Sequence, residues 1–288
     1  MTRGPLVDVA GLREALASAS PPVVLDVRWS LLGPPGRELF EAGHVPGSVF
    51  VDLDADLADP PRGPGGRHPL PDPARFARAM RRCGVTLDRP VVVLDAGDGT
   101  VAARAWWLLE HHGHDDVRVL DGGLAAWRET GGELESGPVP LPFGDDGPPD
   151  GRRFVAEVAR LRVIDADEAA AWPAHGVLLD ARAAARYAGE VEPVDPVAGH
   201  IPGALSAPAS MALDIAGRFL GPDDLHERFD PIGVGPGVEV AAYCGSGVTA
   251  AHTVLALRAL GVDAALYAGS WSDWVSDPRR PVATGPMG

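Results

Sequence analysis

The sequence predicts an α/β protein made of two related domains, each a mostly parallel sheet flanked by helices. Three observations carry this. Short, continuously apolar runs alternate with helical patterns, the helices stop at glycines, and the whole arrangement occurs twice in the same order.

The apolar runs are 23–26, 91–95 and 117–120 in the first half, and 177–180, 238–243 and 264–267 in the second. Runs this short, without polar alternation, read as strands buried on both faces. The segments 101–112 and 249–260 read as helices, and Gly113 and Gly261 follow them as stop residues. Strands alternating with helices imply a parallel sheet, and ligands of such sheets bind beyond the carboxyl ends of the strands.

The repeat is explicit. Val23-Val24-Leu25-Asp26-Val27-Arg28 returns as Val177-Leu178-Leu179-Asp180-Ala181-Arg182, and Gly43-His44-Val45-Pro46-Gly47 returns as Gly199-His200-Ile201-Pro202-Gly203. Gly97-Asp98-Gly99 returns as Gly245-Ser246-Gly247, and Gly122 and Trp127 return as Gly269 and Trp274. Four blocks in one order describe one fold used twice; the unit is too long for a stacked solenoid. Residues 132–151 hold ten Gly or Pro in twenty, including Pro138, Pro140 and Pro142, which is a linker composition. The expected division is therefore a domain over 1–131, a linker over 132–151 and a second domain over 152–288.

Composition narrows the function. The chain has 288 residues, 45% of them apolar and 23% charged, which suits a globular protein with a real core. No apolar window is long enough to span a membrane, and the first residues lack the basic-then-apolar pattern of a signal peptide. A net charge of −15 argues against nucleic acid or an anionic membrane as partner, while leaving room for a small anionic substrate. The only cysteines are Cys83 and Cys244, too few for a disulfide framework, so a reducing cytoplasm is expected. All 25 basic residues are Arg, which removes Lys from catalysis.

Chemistry concentrates at Cys244. A strand ends at Tyr243, the loop Cys244-Gly245-Ser246-Gly247-Val248-Thr249 follows, and a helix begins after it. Free N–H groups and the helix dipole favour a negative group at such a place, and the thiolate is the nucleophilic form of cysteine. Two glycines let successive amides face inward as an anion nest. The expected picture is an exposed thiolate held by the backbone amides from Gly245 through Thr249, Gly245, Gly247 and Val248 among them, with Ser246 and Thr249 adding hydroxyls. A buried, inert cysteine is the alternative at this point. The repeat argues against it, because the first copy keeps the glycines and has Ala96 where the thiol is expected.

The loop Cys-Gly-Ser-Gly-Val-Thr, the upstream Gly-His-Ile-Pro-Gly and the downstream Ala268-Gly269-Ser270-Trp271 together resemble the tandem rhodanese-like sulfurtransferases, a group including 3-mercaptopyruvate and thiosulfate sulfurtransferases. The resemblance spans nearly the whole chain. It implies two rhodanese-like domains, a Cys244 persulfide formed from a small anionic sulfur donor and discharged to a thiol or cyanide, and no metal or organic cofactor. It implies Arg186 as the donor's anion ligand, Ser246 as a polarising or proton-relaying group, and His44 as a histidine beside it or, like His200, a loop brace. It also implies that Arg67-His68-Pro69-Leu70-Pro71 reaches the cleft. The Gly-Ser-Gly loop is similar to the mercaptopyruvate branch, whereas Val194-Asp195 after Glu192-Pro193 resembles thiosulfate-type sequences.

Other readings are weaker. A phosphatase of related fold needs Arg at the sixth position after the cysteine, and Ala250 stands there. A non-catalytic binding module is the alternative of a different class. His111-His112-Gly113-His114 reads as a solvated helix end rather than a metal site. Trp106, Trp107, Trp127, Trp271 and Trp274 read as packing. Cys83 reads as structural, although Arg81 and Arg82 beside it could lower its pKa.

Overall fold

A computed structural model describes residues 4–31, 33–61, 63, 65–156 and 159–286. The chain forms two compact units. The first holds a five-stranded sheet made by β1 (Leu6–Val7), β2 (Val23–Asp26), β3 (Val49–Phe50), β4 (Val91–Leu94) and β5 (Val117–Leu120), in the order β1-β5-β4-β2-β3. The second repeats it with β6 (Val163–Ile164), β7 (Val177–Asp180), β8 (Leu205–Ser206), β9 (Val240–Tyr243) and β10 (Ala264–Tyr267), in the order β6-β10-β9-β7-β8. Every strand pairing is parallel. The predicted fold class and the six long runs are therefore present. The four edge strands have two residues each and give no periodicity to read.

The central strands are buried on both faces, which is why their sequences do not alternate. One core is built from Val24, Val92, Leu94, Leu120 and Trp127. The other is built from Leu178, Ala241, Tyr243, Tyr267, Trp271 and Trp274. All five tryptophans singled out above are buried, and Trp127 and Trp274 each donate their indole N–H to a carbonyl of the chain that follows, Glu133 O at 2.8 Å and Pro281 O at 3.0 Å.

The repeated motifs brace the two sheets alike. Asp26 and Arg28 form a buried ion pair at the end of β2, and Asp180 and Arg182 form its counterpart at the end of β7. His44 stacks on Phe40 with ring centroids 3.9 Å apart and donates Nδ1–H to Phe40 O; His200 stacks on Tyr187 at 3.8 Å and donates to Tyr187 O.

The division of the chain differs from the expected one. The first unit comprises Met1–Asp59, Pro71–Arg160 and Ala216–Arg218; the second comprises Pro60–Leu70, Leu161–Ile215 and Phe219–Gly288. Residues 132–151 are not a free linker. Glu135 pairs with His44 in an antiparallel bridge, Gly137 N–H reaches Glu41 O and Phe143 N–H reaches Arg82 O. The carboxyl-terminal segment does the same in the second unit, where Ala283 bridges His200. A Gly/Pro-rich strap that returns to the histidine is thus part of each domain, and composition alone cannot distinguish it from a tether. No helix among the described residues is long and apolar enough to cross a membrane.

Asp180→Ala removes the main partner of a buried guanidinium and leaves it only Glu192 at 3.4 Å and the Gly199 carbonyl, so it is expected to destabilise the second unit by about 3 kcal/mol. Urea unfolding followed by tryptophan fluorescence checks this.

Candidate active site

In each sheet the chain leaves the second strand toward one edge and then crosses to the other side. The crevice at the carboxyl ends of β7 and β9 is therefore a topological switch point, the place where open α/β sheets bind ligands. Cys244 follows β9 directly, and the helix Ala184–Ala188, which carries Arg186, follows β7.

The loop turns the Gly247 amide toward the sulfur. Gly247 N–H points at Cys244 Sγ at 3.1 Å, and the Ser270 hydroxyl lies 4.0 Å from it. Gly247 has φ +78°, and a Cβ there would sit 2.3 Å from Ala268 O, so only glycine fits the turn that aims this amide. The loop is clamped from below: Trp271 N–H donates to Cys244 O and Ser272 N–H to Gly245 O, both at 2.9 Å. Thr249 begins the helix Thr249–Ala259. The expectation of an exposed thiol is corrected: Cys244 is 2% exposed. Its surroundings are nonetheless polar, because the carboxyl end of a buried strand places the sulfur inside the loop rather than on its rim.

Ser270 escaped the sequence reading. It is the one described non-glycine residue with φ in the left-handed region, at 55°. Its hydroxyl accepts from Cys244 N–H at 3.0 Å and donates to Tyr267 O at 2.9 Å. The signal was available in the repeat, where Gly123, φ 51°, holds the corresponding place.

The loop of the first unit shows what such amides hold. In sheet register Asp180 faces Tyr243 and Asp26 faces Leu94, so the residue after β4 that matches Cys244 is Asp95. Carbonyl contacts agree, Leu124 N–H donating to Asp95 O as Trp271 N–H does to Cys244 O. The expected assignment of Ala96 to the cysteine's slot is corrected; this loop is one residue longer, which displaced a match based on glycines. The Asp95 carboxylate accepts from the amides of Gly97, Gly99, Val101 and Ala102 at 3.0–3.2 Å. Burial and the nearby Asp98 charge push its carboxyl up to about 6, against those donors.

Two arginines overhang Gly245. A Cβ on Gly245 would lie 3.1 Å from Arg67 Nη2 and 3.6 Å from Arg186 Nη1. Arg186 donates to Glu192 at 2.6 and 3.1 Å and to Asp195 at 3.1 Å, so it is both beside the loop and ion-paired. Arg67 also pairs with Asp195. Burial opposes ionisation of Glu192, but Arg186 and the amides of Asp195 and Val194 outweigh it and hold the carboxyl below its usual range.

The strip Pro60–Leu70 belongs to the second unit although it lies in the first half of the sequence. It is held by Gly65 N–H to Asp273 at 2.8 Å and Arg67 N–H to the Ser272 hydroxyl at 3.1 Å. It brings His68 Nδ1 within 2.8 Å of Ser246 Oγ, both residues being buried. The histidine beside Ser246 is thus His68. His44 is buried in the first unit against Phe40, the mirror of His200, which is the bracing arrangement.

The remaining candidates lie apart from this chemistry. Burial, with a smaller push from Asp56, raises Cys83 to about 12 despite Arg82, so its cationic neighbours do not prevail. His111, His112 and His114 are buried, not solvated: His111 stacks on Trp107, His112 packs on Phe76, and His114 reaches the carbonyls of Thr86 and Arg89. No group of three metal-ligating side chains occurs among the described residues.

Two parallel α/β units, one with a cysteine in the loop after its central strand and one with an aspartate there, define a duplicated α/β architecture with a single cysteine-bearing loop. The Rhodanese-like domain family matches residues 9–130 and 165–277, and the chain belongs to that family. A Pseudomonas aeruginosa relative provisionally named 3-mercaptopyruvate sulfurtransferase is 49% identical over 269 residues, covering 91% of this chain and 92% of the relative. A Mycobacterium tuberculosis relative provisionally named thiosulfate sulfurtransferase SseB is 44% identical over 281 residues, covering 97% of each. The crystal structure of SseA from Escherichia coli, described as a 3-mercaptopyruvate sulfotransferase of rhodanese fold, matches with a TM-score of 0.78 and 34% identity over 94% of this chain and all of the other.

Because Asp95 titrates above an ordinary carboxyl, the folded protein binds more protons than the unfolded chain between about pH 4 and pH 6, and stability is lost as pH rises through that window. Asp95→Asn removes the cost of the buried charge. Its melting temperature relative to the parent is expected to rise by roughly 5 °C between pH 4 and pH 7; scanning calorimetry at the two pH values reads this.

Proposed function

We propose that this sulfurtransferase carries sulfur as a persulfide on Cys244, with a small anionic thiol such as 3-mercaptopyruvate as donor and a thiol or cyanide as acceptor. The observation that carries the reading is the Gly247 amide aimed at Cys244 Sγ within a clamped loop. A hydrogen-bond donor fixed in a buried site stabilises charge that develops on the atom it faces, without reorganising.

The cycle follows from that placement. The Cys244 thiolate attacks the donor's sulfur, an S–S bond forms and the S–C bond breaks. Its electron pair goes to the donor carbon as an enolate, which takes a proton to give pyruvate. That proton is the one the donor's thiol sulfur carried; Ser246, hydrogen-bonded to His68, passes it on and the outer sulfur remains as the persulfide anion. An acceptor thiolate then attacks the outer sulfur, and Cys244 leaves as the thiolate it began as. Covalent catalysis of this kind divides one transfer into two displacements. Arg186 and Arg67 receive the donor's carboxylate at the residue next to the nucleophile. No step calls for a metal or organic cofactor. A cytoplasmic setting suits a chain whose two cysteines are both free.

Thiosulfate is the second reading for the donor. Its transfer needs no proton, since sulfite leaves as an anion, so the His68–Ser246 pair would be idle. That pair, and a loop without basic residues, favours the carbon-bound donor.

Steady-state assays with each donor test the assignment. The expected kcat/KM is higher for 3-mercaptopyruvate, Cys244→Ser is inactive with both donors, and Cys83→Ser keeps most activity; a clear thiosulfate preference reverses the ranking of donors. His68→Asn separates the two proton demands. It is expected to lower kcat with 3-mercaptopyruvate by about 10²-fold, the scale of general acid catalysis, and to leave thiosulfate turnover much less affected.

A further inference from the structure

Four charged side chains share the space beside Gly245, and their exposure is layered. The Arg67 and Arg186 side chains are 32% and 19% exposed, whereas Glu192 and Asp195 are 4% and 3% exposed. The carboxylates lie beneath and the guanidiniums face outward. Asp195 is the one that joins them: one oxygen takes Arg67 Nη1 and the other takes Arg186 Nη2. Glu192 serves Arg186, the amides of Val194 and Asp195 and, at 3.4 Å, the buried Arg182, whose own charge Asp180 balances, so it fixes the loop that presents Asp195. The two cations and two anions sum to zero, although the site offers two guanidiniums.

We infer that Asp195 is a specificity-determining residue that sets the charge of the donor accepted beside Cys244, by gathering Arg67 and Arg186 into one anion-binding face while cancelling one of their two positive charges. This rests on the sulfurtransferase reading for its substrate and deepens it. An incoming anion meets planar N–H donors on the open side, which suits a carboxylate. It meets little net positive field, so a second negative charge on the donor earns no further attraction. The site therefore favours a monocarboxylate over a dianion such as thiosulfate. Neutralising Asp195 leaves the cluster at +1. The Coulomb gain scales with ligand charge, so the factor for a dianion is the square of that for a monoanion.

The test compares the parent protein with Asp195→Asn, which keeps the shape, and Asp195→Ser, which keeps neither charge nor reach. In donor kinetics, KM for 3-mercaptopyruvate is expected to fall about threefold and KM for thiosulfate about tenfold, with the change falling on KM rather than kcat. A second readout needs no turnover: protection of Cys244 from alkylation by iodoacetamide, mapped by peptide mass, with pyruvate as the monoanion and sulfate as the dianion. Half-protecting concentrations are expected to fall by about the same two factors. A parent protein that turns over neither donor, with protection shifting as described, sinks the sulfurtransferase reading and leaves the charge role standing. Active variants whose KM and protection shift equally for the two charge types, or rise for both, overturn the role assigned to Asp195.

Discussion

The turning of main-chain N–H groups toward the side chain that follows the central strand is the constraint on which the site depends. Parallel strands end together at one edge of the sheet, and a tight glycine turn followed by a helix leaves amides there without partners. The two units answer that demand differently. In the first, Asp95 fills the loop with its own carboxylate and four amides close on it. In the second, a sulfur takes that position under Gly247 N–H. The loop thus turns amides inward in both copies, onto a carboxylate in one and onto the thiol of the proposed nucleophile in the other.

Everything around Cys244 serves to keep that loop still. The ion pair of Asp180 and Arg182 locks the end of β7, the helix beginning at Ser270 clamps the loop carbonyls, and Ser270 accepts the Cys244 amide from a left-handed backbone conformation that side chains seldom adopt. Strain of this kind costs of order 1 kcal/mol and persists where the surroundings fix it. The price falls on the unit that carries the thiol; the equivalent residue in the other unit is glycine.

Much of this was readable from the chain. Continuous apolar strands, glycine stops and the doubled order of motifs gave the fold class, and the strand–Cys-Gly-Ser-Gly–helix arrangement singled out the loop that the structure folds around Cys244. The errors have definite causes. Asp95 was missed because matching Gly97 and Gly99 to Gly245 and Gly247 hides a one-residue insertion that only sheet register exposes. His44 is named because the resemblance sets a motif histidine beside the serine; the structure gives it the bracing role that its match with His200 also suggests, by ring stacking. Arg67 and His68 are reached through the resemblance alone and without roles, because their segment has no periodicity and membership of a domain across more than a hundred residues of sequence leaves no local trace. The Gly/Pro-rich stretch after Trp127 reads as a linker because its backbone bonds to His44, Glu41 and Arg82 are invisible to composition.

One thiol, marked out by the Gly247 amide that faces it, is proposed to accept the sulfur. The direct measurement is peptide mass mapping after one equivalent of donor under reductant-free conditions, before and after cyanide. The account requires the mass of one sulfur atom on the peptide containing Cys244, absent from that containing Cys83, and removed by cyanide. Sulfur retained on Cys83, or an unmodified Cys244 in protein that still turns over, would contradict it.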